Sequence, residues 1–590
     1  MENYFVDYLN AMNNAGSNTI AALAESQVLS EYYEKIHIER VLGKRIAEQI
    51  RSGEHIAYII TGHAGDGKTS ILVQILTELG LLEKKQPLQE EKCYDFQNTT
   101  LYTVKDMSEL SEKKQIVYFQ KAVTAPQNNG SSVLISNTGP LLKCFEKLVS
   151  SDMENDGKAF TEQDKNTLQN TILVQLDENK PELIEIGNYR VMIINIARID
   201  NVDFARNAIS KLLLEELWSP CHQCPKSEFC PIFHNVQIVR HYEKRVEEFI
   251  TAYYRFLYEN DKRMTIRQML SQLSFAFTGN LTCKNIRRNM RMPQFKHLFS
   301  NQFFGNFGIE PEETAMQIQG ITYVNEMKLD AKALRNDYQM FVTGDFSALP
   351  SEIRELAEEQ YTIFSRWHFN SDEYNQSNQK NSKDVLYRKA IRRMYIMFGD
   401  YHEYSLFDEL FGNGFQNYQK LITSKNTKHE QKMLKNTIME ALYMESTGVA
   451  AKHVSEIPLT IRRNDNLYQK VLVISGKIKA EDLKIEISDG NSRFDDNQNK
   501  KVLNLVICNK KRFRLTMPMI IYFEQLADGE ITASANPALT HGISKLKTLL
   551  RECGSSADAD DEGDEIEIML NKTDSAEYRK LEFADNMLYI

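Results

Sequence analysis

Between residues 27 and 52 apolar side chains recur at helical intervals, as Val28, Leu29, Ile36, Ile38, Val41, Leu42, Ile46 and Ile50, and Gly53 ends the run, so one or two helices are predicted there. The pattern then changes. Residues 54–61 gather Ile56, Tyr58, Ile59 and Ile60 into a short apolar strand. After a glycine-rich loop, Ile71, Leu72, Ile75, Leu76 and Leu79 line one face of a helix that Gly80 caps. Further strands are predicted at 101–104, 133–136 and 190–196. Strands alternating with helices imply an α/β fold with a parallel sheet and right-handed crossovers. An amphipathic helix follows at 204–218, then a cysteine cluster, then helical stretches to about residue 289.

The polar stretch 370–379 predicts a linker or long loop. From about residue 453 the pattern becomes β-rich, with runs at 471–474, 502–508 and 519–523. The acidic run 558–565 reads as a solvated loop. These shifts divide the chain into an N-terminal helical segment (1–53), a nucleotide-binding core with the cysteine cluster (54–240), a helical lid (241–365), a linker with a helical region (366–450) and a C-terminal β-rich domain (451–590). A length of 590 residues suits several packed units.

The loop Gly62-His63-Ala64-Gly65-Asp66-Gly67-Lys68-Thr69 has the spacing of a P-loop, preceded by a strand and followed by a helix. Its glycines allow backbone N–H groups to close around phosphate oxygens, and the helix presents its positive end to them. Gly62, Gly65, Asp66, Gly67, Lys68, Thr69 and Ser70 are the predicted ATP-binding residues. Lys68 is expected on the β- and γ-phosphates and Thr69 on Mg²⁺, with Ser70 a weaker candidate for that shell. The fold class this implies is an AAA+-like, parallel-sheet P-loop NTPase core with a helical lid. Hydrolysis needs an acid at the end of a neighbouring strand. The strand 133–136 ends instead in Asn137, which stands as a site candidate without a carboxylate. Asp106, closing the earlier strand, could serve, or could simply cap a helix. Asn195 is a candidate sensor of the γ-phosphate, or a buried amide satisfying backbone. Arg267, in the lid, is a candidate phosphate contact, or a solvated helix arginine.

Cys221-x2-Cys224-x5-Cys230-x3-His234 offers three thiolates and an imidazole, a set that suits tetrahedral Zn²⁺. An iron–sulfur cluster is the alternative, with Cys144 or Cys283 as a fourth ligand, and unligated reduced cysteines are the bland reading. With eight cysteines in the chain, a metal or local cluster is expected rather than a disulfide framework.

Composition narrows the class. A net charge of −10 argues against coating nucleic acid by bulk charge, although a local basic groove could still bind DNA. Basic clusters at Arg287-Arg288-Asn289-Met290-Arg291, at Arg388-Lys389 with Arg392-Arg393, and at Lys510-Lys511-Arg512 could contact phosphates, each reading first as a solvated face. Apolar runs such as 56–60 fall far short of the roughly 18 residues of a membrane span. The first seven residues lack the basic region and apolar core of a secretory signal, so a cytoplasmic protein is expected. No G-x-S-x-G elbow, H-E-x-x-H pair or nuclease carboxylate set is present.

Gly65-Asp66-Gly67-Lys68, the pattern Asn137-x-Gly139-x-Leu141 after a buried strand, and the long chain with a helical lid resemble the DptF group, ATPases of DNA phosphorothioation-dependent restriction in bacterial anti-phage defence. The resemblance covers mainly residues 28–200 and does not extend to the cysteine cluster, a departure that leaves a sibling family of defence ATPases open. It implies an ATPase subunit that works with companion defence or restriction proteins, couples nucleotide state to assembly on DNA or to an effector, and forms homo-oligomers. A STAND-type switch that binds ATP and oligomerises with little turnover is the second expectation. A scaffold using nucleotide and zinc only to stay folded is the third.

Overall fold

The computed structural model describes residues 2–13, 30–82, 87–177, 181–288, 295–305, 313–368, 383–399, 405–423, 428–461, 471–490, 494–496, 501–530, 537–557, 565–572, 575–584 and 587–589. The polar stretch 370–379, most of the acidic run 558–565 and Asn289, Met290 and Arg291 lie outside these residues. The chain forms two compact units. The first comprises Met1–Tyr258, Lys262–Leu406 and Asn491–Gln498, and the second comprises Glu259–Asp261, Phe407–Gly490 and Asn499–Ile590.

The first unit is α/β. In chain order it begins with α1 (Tyr4–Asn13), α2 (Tyr33–Ile36), α3 (Val41–Arg51), β1 (Ala57–Thr61), α4 (Lys68–Glu78), β2 (Glu91–Phe96) and β3 (Thr99–Val104). It continues with α5 (Glu112–Thr124), β4 (Gly130–Ile135), α6 (Thr138–Asn155), α7 (Glu162–Asp177), β5 (Leu183–Ile186) and β6 (Tyr189–Asn195). The six strands lie in the order β2-β3-β4-β1-β6-β5. β1 pairs in parallel with β4 and β6, and β3 with β4. β2 and β5 join the edges antiparallel.

Every residue of β1 and β4 is buried, as expected for central strands covered on both faces. Alternation sorts their side chains into two cores. Tyr58 and Ile60 pack with Leu42 and Ile46 of α3 and Ile71 and Ile75 of α4. Ala57 and Ile59 pack with Phe119 of α5, Phe145 of α6 and Ile172 of α7 on the other face. The edge strands escape the sequence pattern because they are only half buried and rich in charge, as in Glu91-Lys92-Cys93-Tyr94-Asp95.

The predicted helix 204–218 is two helices, α8 (Val202–Leu212) and α9 (Glu215–His222). The chain breaks between them because the buried Trp218 donates its indole N–H to the Leu212 carbonyl at 2.8 Å, satisfying the end of α8. Then come α10 (Pro231–His241), α11 (Glu243–Glu259), α12 (Ile266–Thr278) and α13 (Cys283–Arg288). Thr265 and Gln268 form a capping box that sets where α12 starts.

The second unit contains a three-stranded sheet of β9 (Leu483–Asp489), β10 (Lys501–Ile507) and β11 (Lys511–Leu515). It also contains a five-stranded sheet in which β7 (Glu456–Ile461) and β8 (Val471–Lys479) meet β12 (Glu565–Lys572), β13 (Ser575–Ala584) and β14 (Met587–Tyr589). Residues 519–523, expected as a strand, lie instead in the helix Met517–Ala527. Thr516 and Pro518 mark a helix start, and burial of Met519, Ile520, Phe523, Leu526 and Ala527 follows the helical period. The fold brings Cys508 and Cys553, 45 residues apart in sequence, side by side, with their Cα atoms 6.3 Å apart. Among the described residues no helix is long and apolar enough to cross a membrane.

Candidate functional site

β1 ends at Thr61, and the glycine loop carries the chain directly into α4. Gly65 and Gly67 adopt left-handed backbone, with φ of +90° and +85°. A Cβ on Gly65 would stand 2.9 Å from Cβ of Arg267, so the loop and α12 meet at a distance only glycine permits. The Arg267 N–H donates to the Gly65 carbonyl at 3.1 Å and fixes that approach. No side chain caps α4, whose N-cap is Gly67. Its first N–H groups therefore face the loop without a side-chain acceptor.

A cavity of about 380 Å³ opens beside this loop. Ala64, Gly65, Gly67, Lys68, Thr69 and Ser70 line it, together with Asp106, Asn137 and Arg267. Eight residues read from the sequence as phosphate, Mg²⁺ or catalytic candidates thus meet on one cavity: Gly65, Gly67, Lys68, Thr69, Ser70, Asp106, Asn137 and Arg267. The sheet explains the meeting. β3 and β4 run parallel to β1, so Asp106 and Asn137, just beyond their C-terminal ends, emerge on the same side as the loop.

Lys68 donates to the Gly62 and His63 carbonyls at 2.8 and 3.0 Å. Burial lowers its pKa, Asp106 and Asp66 oppose that shift, and Arg267 adds to it. Burial likewise lowers Arg267. Asp106 is the cap that the sequence offered as one reading, its Oδ1 accepting from the Ser108 N–H at 2.9 Å and the Ser108 hydroxyl at 2.6 Å, and it also lines the cavity.

Three predicted residues are placed differently. Asp66 does not line the cavity. Its buried carboxylate accepts from the His63 N–H at 2.9 Å and from Arg263 at 2.7 Å, and Arg263 also donates to the Ile196 carbonyl at 3.1 Å. Asp66 is thus an internal staple of the loop. Gly62 contributes its carbonyl to Lys68 and is not part of the cavity wall. Asn195 lies at the end of β6, where its amide donates to the Leu176 carbonyl at 2.8 Å and accepts from the Ala197 N–H at 3.1 Å, so both polar groups serve the backbone.

The sequence reading missed one wall. Tyr8 and Met12 of α1, Tyr33 and Ile36 of α2, and Phe204 and Leu270 supply apolar surface to the same cavity. A clamp holds the 33–40 segment in place: the Gln74 side chain accepts from the Arg40 N–H at 2.9 Å and donates to the Arg40 carbonyl at 3.0 Å. Gln74 was the available signal, a polar side chain within the apolar run Ile71-Leu72-Val73-Gln74-Ile75-Leu76 and itself buried.

The basic clusters are largely spent on ion pairs. Arg392 binds Asp337 at 2.8 Å and Arg393 binds Asp330 at 2.6 Å; Arg287 pairs with Glu2, and Arg512 with Glu486. Lys511 pairs with Glu552.

A second, smaller cavity lies at the cysteine cluster. Cys221, Cys224, Cys230 and Cys283 all line it. Burial raises the Cys221 and Cys230 thiols to about 11, with neighbouring thiols adding to the shift. His234 is not among the lining residues; burial lowers its pKa and its Nδ1 has no hydrogen-bond partner. Cys144 is packed in the core against the sheet. Among the described residues no group of three or more His, Cys, Asp or Glu side chains is arranged to hold a single metal ion. Comparison of the chain with protein-family models, with curated proteins and with solved structures finds no match.

Proposed function

We propose that this chain binds ATP with Mg²⁺ on the loop 62–69 and hydrolyses it slowly, in an AAA+-like core whose helical lid reaches the nucleotide through α12. One observation carries this reading: the uncapped N-terminus of α4 opens on the same cavity as Lys68, Thr69, Asp106, Asn137 and Arg267. Uncapped N–H groups beside a lysine and an arginine make an anion site, and glycine backbone at Gly65 and Gly67 lets phosphate approach closely. The residues fit the group they would hold.

Bound Mg²⁺·ATP would supply the γ-phosphoryl group, with water as its acceptor and ADP as the leaving group. The N–H groups of the loop and of the first turn of α4 bind the phosphate oxygens, Lys68 and Arg267 offset their charge, and the Thr69 hydroxyl is a Mg²⁺ ligand. Asp106 is the carboxylate that orients water or completes the metal shell. Asn137, from the strand between those of the loop and of Asp106, donates to the γ-phosphate. Asn195, occupied by backbone, has no part. Slow turnover follows because the strand adjoining β1 ends in an amide and Asp106 is held by Ser108.

The apolar surface of Tyr33, Ile36, Phe204 and Leu270 suits a purine base. The biological role we infer, from the DptF-like resemblance, is that of an oligomeric ATPase subunit acting with companion defence or restriction proteins on DNA. Equilibrium binding of ATP to the wild type and to Lys68→Ala tests the site, with affinity lost in the variant. Steady-state turnover with and without duplex DNA tests the role, with stimulation by DNA expected. Unchanged affinity in Lys68→Ala would remove the assignment.

A further inference from the structure

The fold carries Cys283, on a helix far along the chain from the other three thiols, to the cavity lined by Cys221, Cys224 and Cys230. We propose that these four cysteines ligate a [4Fe–4S] cluster, and that His234 is not a ligand.

The four thiols come from separate local structures. Cys221 is in α9, Cys224 follows it in a turn, Cys230 is the N-cap of α10 and Cys283 opens α13. They surround a cavity of about 30 Å³, whose exposed surface is almost wholly apolar. A single tetrahedral Zn²⁺ would draw four sulfurs to about 3.8 Å from one another, given a Zn–S distance of about 2.3 Å. Here four thiols and no imidazole line one cavity. A cubane cluster instead takes one thiolate at each of four iron corners and fits sulfurs spread around a cavity.

The distribution along the chain agrees. Three cysteines in one short run with a solitary fourth from elsewhere is a common arrangement for clusters, whereas zinc sites built from cysteine alone usually join two close pairs. N–H groups also point at the sulfurs. The Asn3 amide donates to Cys221 Sγ at 3.3 Å and the Phe233 N–H to Cys230 Sγ at 3.5 Å. Such bonds stabilise thiolate and bridging sulfur. Lys226 lines the cavity and offsets part of the negative charge of four thiolates.

The test is metal and sulfide analysis of the full-length chain, purified without oxygen and then reconstituted with ferric iron, sulfide and a thiol that reduces part of the iron. The wild type is expected to hold about four irons and about four acid-labile sulfides per chain and to turn brown. Cys283→Ser should lose most of both, while His234→Ala and Cys144→Ser keep them. One zinc per chain with no iron, neither metal after reconstitution, or full iron in Cys283→Ser would each overturn the proposal. Should Cys283→Ser fail to fold, the iron-to-sulfide ratio of the wild type and of His234→Ala decides the matter. None of these readings depends on nucleotide binding.

Discussion

At Lys68, burial disfavours the ammonium while Asp106, Asp66 and two backbone carbonyls favour it. Burial prevails, so the empty fold disfavours the ammonium on balance. Lys68→Ala should shift unfolding stability by no more than about 1 kcal/mol, read by thermal denaturation, while removing the stabilisation that ATP gives the wild type. The lowered pKa has a sign that can be checked. The folded chain holds this proton less tightly than the unfolded chain, so the group's contribution is least favourable below its folded pKa and improves as pH rises towards 10.5. Phosphate beside the ammonium raises the pKa again, and ATP binding in the alkaline range should therefore take up protons. Calorimetry in two buffers of different ionisation enthalpy measures this, and equal heats would contradict it. Asp106→Asn isolates the carboxylate, because asparagine caps the Ser108 turn as well as aspartate does. Turnover should fall by about a hundredfold or more with ATP affinity and stability nearly unchanged. Turnover that survived the change would mean that another group serves.

At the scale of elements, the site depends on how the glycine loop is held against α12. The Asp66–Arg263 pair is almost wholly buried, with side-chain exposures of 0% and 14%, and is the loop's anchor. Arg263→Ala leaves a buried carboxylate unpaired and should cost about 3 kcal/mol or more, seen as a lower denaturation midpoint. Gly65→Ala acts differently. Its Cβ would press on Arg267 at a backbone angle that alanine resists, so nucleotide affinity should fall far more than stability does. α1 links the two cavities: Tyr8 and Met12 line the larger, and Asn3, just before the helix, hydrogen-bonds Cys221 at the smaller. Cys224→Ser should therefore lower stability around α9 and weaken ATP binding only indirectly.

At the scale of the molecule, the first unit is not continuous in sequence. Phe494 is fully buried in the core with Tyr58 and Ile71, and Asp496 accepts from the Val41 N–H at 3.0 Å and pairs with Arg40. A chain cut after residue 406 would lack both. Phe494→Ala is expected to cost about 3 to 5 kcal/mol, as truncation of a buried aromatic does. It should also weaken ATP binding through the Arg40 segment. Thermal unfolding with and without ATP separates the two effects, and a midpoint equal to that of the wild type would show that the segment contributes no core.

Local periodicity and spacing were enough to determine the strand, glycine loop and helix of residues 57–78, the parallel strands after them, and the residue types a phosphate site needs. Those features are written in neighbouring residues: alternation reports burial on two faces, and glycine at a fixed interval reports backbone that side chains would block. What the sequence could not decide was which distant groups converge. Asp106 and Asn137 came to line the cavity of Lys68 through strand order. The Asn195 amide was claimed by a nearby carbonyl, and Cys283 rather than His234 came to line the cavity of Cys221, Cys224 and Cys230 because α13 returns to the cysteine loop. The segment 494–496 entered the first core from far along the chain. Each of these is a long-range contact whose energy comes from packing and hydrogen bonding in three dimensions, and no local pattern encodes it.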